Sequence, residues 1–583
     1  MKKNKKTVGL PEKLEINGKT LTNPDEIAEA LNIYFAEIGK YDSEIIDYDY
    51  INEKINTLQK DSFVFYETDN EEIYNIIKNL ANKNSEGHDE LPISILKKIN
   101  TAVTPILTYL FNICINQGIY PDSLKIGKVV AIFKSGNKTL PGNNRPITIL
   151  PAINKVFEKL IYNRLSNFLT KNKIINNNQF GFRQGHNTEL ATTKFYEDTL
   201  NHLNNGEACC AILLDLSKAF DSVDRQILLY TLSKYGIRGT PLKLLQSYLT
   251  NRFQYIKNNN IKSNLWPSKV GVPQGGVIST LLFLILINDI KNCTKMQIIN
   301  FADDTLAYHN FSNTDNIQNW INKEFNNITI WMEKNHLKLN LTKTNFIIFS
   351  PKCNKFKNLS NLNLTINDNV IIPQTETCKY LGMIIDKKLN WTSHIYNLKQ
   401  SLSKTVGTLY RIRHFLNKKS LSIILHSLII SKINYGLICY GRANKTNLKP
   451  IKILLNNALR CINFLHRRDK RISTIYYEQG VLQLKDLFEL QLGKLCYKFN
   501  KKLLPPSFNK FFVNTSEIHR YNTRKSKKSF FRPKNKNSSG YNRLQNLGAK
   551  LWNQTSDMLK KCKSINSFNI NFKKQRLKTY IDF

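Results

Sequence analysis

Acidic residues are scarce in this sequence, and its cysteines lack the spacing of a metal site or a disulfide framework. Its 583 residues contain 44 Asp and Glu against 85 Lys and Arg, which gives a formal net charge of +41. The 10 cysteines form no Cys-x-x-Cys pair and no Cys/His cluster with the spacing of zinc ligands. This spacing argues against a disulfide framework and a zinc finger, and it predicts free thiols in a reducing compartment.

Long hydrophobic runs are also missing. The most apolar stretch, residues 277–287, is too short to cross a bilayer and is followed by Asp289. Residues 1–6 are basic and no apolar run follows them, so we predict no signal peptide. These features predict an intracellular protein without a membrane partner, in the nucleus or, as the alternative, in the cytoplasm.

The excess of positive charge indicates a polyanionic partner. A hydrophobic share of 41% is enough for a folded interior, and the length exceeds that of one ordinary domain. The surplus of Lys and Arg creates a positive potential that attracts nucleic acid or an anionic membrane surface. A base composition that favours Lys and Asn codons would also produce it. We favour nucleic acid as the partner.

The periodicity of the chain mixes helices and strands without a regular alternation, which predicts an α+β fold. Asn23 as the cap, Pro24 at the first position and Glu26 mark a helix start. After about residue 390 the pattern becomes helical and basic. We predict helices over residues 93–116 and 278–288, strands over 128–134 and 209–216, and two strands over 296–308 joined by a tight turn at Asp303-Asp304.

Two adjacent aspartates at a hairpin tip call for an explanation. Short hairpin turns favour Asn-Gly or Asp-Gly, whereas Asp303-Asp304 places like charges side by side. A solvated acidic turn is the simple alternative, but the flanking residues are apolar enough to lie inside a domain. Asp215 ends another apolar run. Carboxylates from adjacent strands can hold two Mg²⁺ ions, which predicts metal-assisted phosphoryl transfer.

Several sequence motifs follow one another in an order that resembles a known family. They comprise residues 144–151, 179–183, 214–221, 271–276, 301–305, 337–344 and 379–382. They include a first carboxylate motif at residues 214–221, a Pro-Gln-Gly turn at 271–276 and an aromatic-Ala-Asp-Asp box at 301–305. Their order resembles that of reverse transcriptases from LINE-type (non-LTR) retrotransposons, in particular the jockey-like group.

The resemblance implies a right-hand polymerase with fingers, an antiparallel palm sheet and a helical thumb. It implies Mg²⁺, with Mn²⁺ as an alternative, and an RNA template, a DNA primer and deoxynucleoside triphosphates as partners. It also implies roles for individual residues. Asp215, Asp303 and Asp304 would be metal ligands, and Lys343 would donate a proton to pyrophosphate. The nucleotide contacts would be Lys134, Arg145, Gln274 and Phe220, which would act as the steric gate against a 2′-hydroxyl, and the primer contacts would be Lys379, Tyr380, Leu381 and Gly382.

Each of these roles has a simpler structural alternative. Phe220 also fits an ordinary core ring, and Lys134 fits a solvated strand end. Gln274 lies in what is also a tight turn, and Lys343 also fits a surface lysine. Residues 379–382 also fit a plain strand and turn.

The chain is predicted to divide into an N-terminal extension (residues 1–80), fingers and palm (81–390), thumb (391–475) and a basic C-terminal region (476–583). Residues 12–40 resemble the linker that follows the endonuclease of such elements. We therefore expect the chain to begin after that endonuclease, which a separate polypeptide would supply. Residues 519–552 resemble the C-terminal end of these elements, and their basic clusters suggest nuclear entry or RNA binding.

The sequence departs from the family pattern at two positions, and other activities are alternatives to the predicted one. Gly276 stands where jockey-like elements usually have Ser, and Thr280 where Pro is usual. The sequence predicts an RNA-directed DNA polymerase. The alternatives are a truncated or domesticated copy that only binds RNA, an RNA-dependent RNA polymerase, and an intron maturase. Acidic residues after 400 lack strand context, so no ribonuclease H domain is expected.

Overall fold

The structure, a computed structural model, describes all residues except 1–9, 17, 42–44, 56–58, 352–355, 357–358, 360–361, 367–369, 467–471, 519–528 and 582–583. The first ten residues of the predicted C-terminal motif 519–552 thus lie outside the described residues. Described strands are β1 (Leu14–Ile16), β2 (Lys19–Leu21), β3 (Gly127–Phe133), β4 (Asn144–Ile149), β5 (Ala208–Leu214), β6 (Phe253–Asn258), β7 (Ile261–Lys262), β8 (Trp266–Pro267), β9 (Gln297–Phe301), β10 (Asp304–Phe311), β11 (Asn345–Phe349), β12 (Leu364–Ile366), β13 (Val370–Ile372), β14 (Thr377–Tyr380) and β15 (Met383–Asp386).

Helices occupy most of the remaining described chain. They are α1 (Pro24–Glu37), α2 (Tyr48–Lys54), α3 (Asn70–Asn79), α4 (Ile93–Lys98), α5 (Asn100–Gln117), α6 (Ala152–Lys171), α7 (Thr188–Asn204), α8 (Arg225–Lys234), α9 (Gly239–Leu249), α10 (Ser279–Leu286), α11 (Ile317–Lys334), α12 (Thr392–Ile412), α13 (Lys418–Ile424), α14 (Ser431–Asn434), α15 (Leu437–Tyr440), α16 (Lys445–Ile462), α17 (Ile472–Glu478), α18 (Leu484–Asn500), α19 (Thr515–Ile518), α20 (Ser538–Tyr541), α21 (Leu544–Gln554), α22 (Asp557–Lys560) and α23 (Ile565–Lys578). The combination of helices with largely antiparallel sheets confirms the predicted α+β class.

The chain forms two compact units. The first comprises Met1–Asn176, Asp215–Lys295 and Glu324–Asn340, and the second comprises Asn177–Leu214, Met296–Lys323 and Leu341–Phe583. The four predicted segments of the chain follow other boundaries and stay a prediction.

The first unit contains a sheet of order β4-β3-β6-β7, in which β3 pairs antiparallel with β4 and parallel with β6. Helix α1 begins as predicted, because Asn23 Oδ1 accepts the Asp25 N–H at 3.0 Å and Pro24 takes the first helical position. The strand predicted over 128–134 is confirmed as β3.

The single helix predicted over residues 93–116 is wrong, because α4 ends before α5 begins. The break falls at Ile99, which has φ −97° and ψ 13°. Asn100 then turns towards α3, where its Nδ2 donates to the Tyr74 carbonyl oxygen at 3.2 Å. Helix α5 ends at Gln117, one residue beyond the predicted range, and is followed by Gly118, whose φ of +71° suits a glycine.

The second unit contains an antiparallel sheet of order β11-β5-β10-β9. All residues of β5 are buried, as the apolar run 209–216 predicted. Helices α12–α23 follow the sheet and confirm the helical pattern predicted after residue 390. Their large apolar side chains, among them Trp552 and Phe568, belong to the same buried core as residues of the sheet and α7.

Two further features concern the cysteines and the apolar character of the helices. Nine cysteines within the described ranges are free thiols, and most of them are buried. In the part of the chain that the structure describes, no helix combines the length and the apolar character needed to span a membrane.

Candidate active site

The predicted acidic hairpin exists, but its turn lies one residue earlier than predicted. Phe301 at the end of β9 pairs with Asp304 at the start of β10, so Ala302 and Asp303 form the turn. Ala302 adopts φ +57°, a conformation that is unfavourable for a residue with a Cβ atom. Asp304 is a strand residue and not a turn residue, because its backbone pairs with Phe301, and its side chain is exposed.

Gln179 holds this strained turn in place. Its buried side chain accepts the Ala302 N–H at 3.0 Å and the Gly181 N–H at 2.8 Å through the same Oε1 atom. The Phe180 N–H also donates to the Asn300 carbonyl oxygen at 2.7 Å. Residues 179–183 are one of the motifs that carry the family resemblance, but the sequence did not reveal their contact with the acidic hairpin.

Gly181 allows the close approach of these two segments. A Cβ atom at this position would lie 2.3 Å from the Ala302 nitrogen and 3.0 Å from its Cα. Because backbone atoms cannot rotate away, we expect Gly181→Ala to displace the turn and lower the free energy of unfolding by about 1–3 kcal/mol. Urea denaturation measures this loss.

Gly407→Ala is the matched control for Gly181→Ala. Gly407 lies in α12 with open space around the added methyl group, so alanine there should leave stability unchanged or raise it by about 0.5–1 kcal/mol. Equal effects of the two substitutions would contradict the role of the close contact.

Asp215 directly follows β5, whose last residue Leu214 pairs with Thr305, the neighbour of Asp304. The Asp215 carboxylate accepts a hydrogen bond from Asn340 Nδ2 at 3.0 Å, and its carbonyl oxygen accepts the Asn340 N–H at 2.8 Å. Asn340 belongs to the predicted motif 337–344 and orients this carboxylate, a contact that sequence reasoning did not identify.

Carboxylate oxygens are suitable ligands for Mg²⁺. Among the residues that the structure describes, no group of three or more His, Cys, Asp or Glu side chains is placed to hold a metal ion. Mg²⁺ is usually bound by one or two carboxylates together with water and substrate phosphates. The carboxylates of the three aspartates are ligands of this chemical type. The three-aspartate metal site stays a prediction.

The Pro-Gln-Gly turn packs against the segment that contains Phe220. The Val272 N–H donates to the Phe220 carbonyl oxygen at 2.9 Å, and Gln274 Nε2 donates to Asp221 Oδ2 at 2.6 Å. The Phe220 ring is half-buried and stacks on Phe283 with ring centres 4.8 Å apart. These two hydrogen bonds join the segment of Phe220 to the turn that contains Gln274, so the two proposed nucleotide contacts lie on segments that pack together.

The predicted phosphate-binding cations lie on the β3-β4 hairpin. Arg145 in β4 is exposed and pairs with Ile132 of β3. Lys134 follows β3 directly, and its N–H donates to the Asn143 carbonyl oxygen at 2.9 Å. The strand predicted to include Lys134 therefore ends one residue earlier, at Phe133. Arg145 is also close enough to Asp221 to affect its titration.

Burial raises the pKa of the Asp221 carboxyl from 3.8 to about 6, although the Gln274 hydrogen bond and the charges of Lys218 and Arg145 act to lower it. Because the folded-state pKa lies above that of the unfolded chain, the folded chain binds this proton more tightly. The ionised carboxylate therefore disfavours folding, and its contribution to stability declines as the pH rises from about 4 to about 6.

Asp221→Asn should remove this pH dependence. We expect the variant to gain stability over the wild type at about pH 8 but not at about pH 4, since Asn carries no charge and its Oδ1 can still accept from Gln274. Urea denaturation at both pH values tests this. A gain of the same size at both would contradict the predicted titration of Asp221.

The proposed primer-contacting residues form a second tight hairpin. Leu381 and Gly382 join β14 to β15 with φ values of 45° and 81°, and Tyr435 donates a hydrogen bond to the Leu381 carbonyl oxygen. Lys379 is exposed on β14. Tyr380 is buried, and burial together with the negative charge of Asp304 raises the pKa of its hydroxyl well above the usual value.

The predicted site residues form separate groups, each within one unit. Tyr380 and Asp304 lie close together in the second unit, and Phe220, Asp221, Gln274 and Arg145 lie close together in the first. Lys343 is exposed in the turn that precedes β11. The roles assigned to these residues stay predictions.

Comparison with known proteins agrees with the arrangement of these motifs. Residues 132–385 match the family described as reverse transcriptase (RNA-dependent DNA polymerase). The chain is 28% identical over 460 residues to the probable RNA-directed DNA polymerase from transposon BS of Drosophila melanogaster, covering 74% of this chain and 48% of that protein.

Two further relatives come from mobile elements of the same fly. The RNA-directed DNA polymerase from mobile element jockey is 28% identical over 405 residues, which cover 67% of this chain and 43% of that protein. A putative 115 kDa protein in the type-1 element R1DM is 24% identical over 351 residues, which cover 58% and 32%. The chain spans about half the length or less of these curated relatives. Over the matched residues the chain is thus similar to the reverse transcriptases of non-LTR, LINE-type retrotransposons.

Proposed function

We propose that the chain is an RNA-directed DNA polymerase that adds deoxynucleotides to a primer 3′-hydroxyl and releases pyrophosphate. One observation carries this proposal: the hairpin with Asp303 and Asp304 begins β10 beside the end of β5, from which Asp215 follows. Carboxylates at one end of two paired strands are the donors that metal-assisted nucleotidyl transfer requires.

Asp215, Asp303 and Asp304 would hold Mg²⁺, with Mn²⁺ as an alternative. When bound, two such ions stabilise the attacking and leaving oxygens of an in-line displacement. Asn340 restrains the Asp215 carboxylate by its hydrogen bond, and Gln179 restrains the turn that carries Asp303. Both contacts fix the acidic groups before substrate binds, which limits the reorganisation that the reaction needs.

The nucleotide contacts support the same proposal. The Arg145 guanidinium can bind triphosphate oxygens in a bidentate manner, and Lys134 adds a second positive charge on the same hairpin. Gln274 packs against the nucleotide and template with its amide held by Asp221. Lys343 gives a proton to the leaving pyrophosphate.

The remaining parts of the chain follow from this assignment. We propose that the β3-β4 hairpin forms the fingers, that the β11-β5-β10-β9 sheet forms the palm, and that residues 391–475 form the thumb. Residues 379–382 hold the primer end. The natural partners are an RNA template, a DNA primer and deoxynucleoside triphosphates, and the site of action is the nucleus.

Phe220→Ala should relax the choice of sugar. In this proposal the ring excludes a 2′-hydroxyl, so its removal should lower the preference for deoxynucleotides over ribonucleotides at least about tenfold. Single-nucleotide incorporation with each substrate measures the ratio of kcat/KM values. Phe415→Ala, which truncates a ring that is 85% exposed in the other unit, is the control and should leave the ratio unchanged. An unaltered ratio in Phe220→Ala would refute the gate.

Substrate choice also tests the proposal against an RNA-dependent RNA polymerase. The same primer on the same RNA template is offered either deoxynucleotides or ribonucleotides. We expect deoxynucleotides to be preferred by about a hundredfold or more. A preference for ribonucleotides would overturn the assignment in favour of RNA synthesis.

A further inference from the structure

A groove of about 1190 Å³ lies among α16, α18 and α21 in the second unit. The floor is formed by apolar side chains from all three helices, namely Leu448, Ile453, Phe488, Leu492, Leu547 and Leu551. The pairs from α18 and α21 are each four residues apart, as expected for one helix face. Ile453 is 46% exposed, and Leu448, Phe488, Leu547 and Leu551 are partly buried. Three helices thus leave an apolar surface without a covering element among the described residues.

Lysines surround this apolar floor. They are Lys445, Lys449, Lys452, Lys485 and Lys550, all exposed. In the described part of the chain, Glu489 is the single carboxylate that lines the groove, and Arg576 Nη2 lies 2.5 Å from its Oε2 atom. The rim therefore presents a net positive charge, while the floor is mostly apolar, and Thr446, Asn456 and Gln554 are the uncharged side chains with hydrogen-bonding groups that line the groove.

The dimensions of the groove suit a helix. Its lining residues along α16 run from Lys445 to Asn456, which corresponds to about 16 Å, or about three helical turns. Amphipathic helices bind such grooves with apolar residues at positions i, i+3, i+4 and i+7. The lysines on the rim would then face the flanks of the bound helix, where carboxylates would be favoured.

Other occupants fit this surface less well. Binding of single-stranded nucleic acid relies on several exposed aromatic rings in a basic groove. Among the described residues that line this groove, Phe488 is the single aromatic one, and its ring is partly buried. A second copy of the chain carries the same net charge of +41 and would be repelled. We propose that this groove binds an acidic amphipathic helix of a partner protein.

The test measures binding of defined probes to the full chain by fluorescence anisotropy at about 150 mM salt, where non-specific attraction is screened. The first probe is a labelled peptide of about 18 residues with Leu at helical spacing and Glu on both flanks. The second has the same composition in scrambled order, and the third carries Lys instead of Glu. A single-stranded RNA of about 20 nucleotides is the fourth.

Charge reversal identifies the site of binding. The groove variant combines Lys449→Glu, Lys452→Glu and Lys550→Glu. The control combines Lys399→Glu, Lys404→Glu and Lys419→Glu, which reverses the same charge on exposed lysines outside the groove. Ile453→Asn keeps the charge and changes only the floor. Circular dichroism verifies that each variant is folded.

We expect the wild type to bind the acidic helix at least about tenfold tighter than its scrambled form, because only the helix aligns its Leu side chains. The groove variant should bind it at least about tenfold more weakly and gain affinity for the Lys-flanked peptide. Ile453→Asn should weaken it without that gain, and the control should change it less than about threefold.

Two results would overturn the proposal. Equal binding of the helical and scrambled peptides would assign the attraction to overall charge. Loss of RNA binding in the groove variant, without discrimination between the peptides, would make the groove a nucleic-acid site. Neither readout depends on polymerase activity, so the proposal stands or falls separately from the proposed function.

Discussion

Asp303→Asn is expected to slow deoxynucleotide addition by about a thousandfold or more, which corresponds to about 4 kcal/mol of transition-state stabilisation. The amide preserves the shape of the side chain but removes the charge that binds the divalent ion. Asp303 lies in the turn next to β10, so the substitution should leave the sheet intact. Single-turnover extension of a primer on an RNA template measures the rate of the chemical step.

Asp315→Asn provides the matched control for Asp303→Asn. Asp315 is an exposed residue a few positions beyond β10, and its substitution removes the same charge from the same unit. We expect its rate to stay within about twofold of the wild type, as is usual for surface substitutions. If both variants extend the primer at the wild-type rate, Asp303 is not a catalytic residue.

Glu197→Gln is expected to cause the largest loss of stability, about 3–5 kcal/mol. Glu197 and Arg442 form an ion pair whose side chains are only 4% and 1% exposed. The Glu197 carboxylate also accepts the Leu544 N–H at 2.8 Å, and Arg442 Nη1 donates to the Asn542 carbonyl oxygen at 2.7 Å. The substitution leaves the guanidinium charge buried without a counter-charge, and this cost dominates.

The loss is measured by urea denaturation, with Glu376→Gln as the control. Glu376 pairs with Lys387 at 2.5 Å, but the two side chains are 74% and 45% exposed. Water and salt screen such a pair, so we expect its loss to cost less than about 1 kcal/mol. A similar small cost for Glu197→Gln would show that the buried pair does not tie α7 to the C-terminal helices.

The sequence predicted those elements that depend on local patterns. The apolar run that became β5 is buried over its whole length, and Asn23 with Pro24 marked the start of α1 correctly. The acidic hairpin was also predicted, although its turn was placed one residue too late. Pairing between Phe301 and Asp304 determines that position, and periodicity alone does not reveal such a register.

The contacts that hold the candidate site could not be predicted, because they join residues far apart in the chain. Gln179 reaches the turn at Ala302, Asn340 reaches Asp215, and Gln274 reaches Asp221. Each partner lies in a motif that the sequence revealed, but a motif does not indicate which distant residue it contacts. The interpretation of residues 476–583 as a basic region also missed that their apolar side chains share a core with the sheet.

Primer extension by the wild-type chain tests the central claim most directly. The assay contains a DNA primer annealed to an RNA template, deoxynucleotides and Mg²⁺, and binding of the same duplex is measured in parallel. We predict extension to the end of the template by the wild type and none by Asp303→Asn at equal duplex binding. Binding of the duplex by the folded wild type without any extension would contradict the account and favour a chain that only binds RNA.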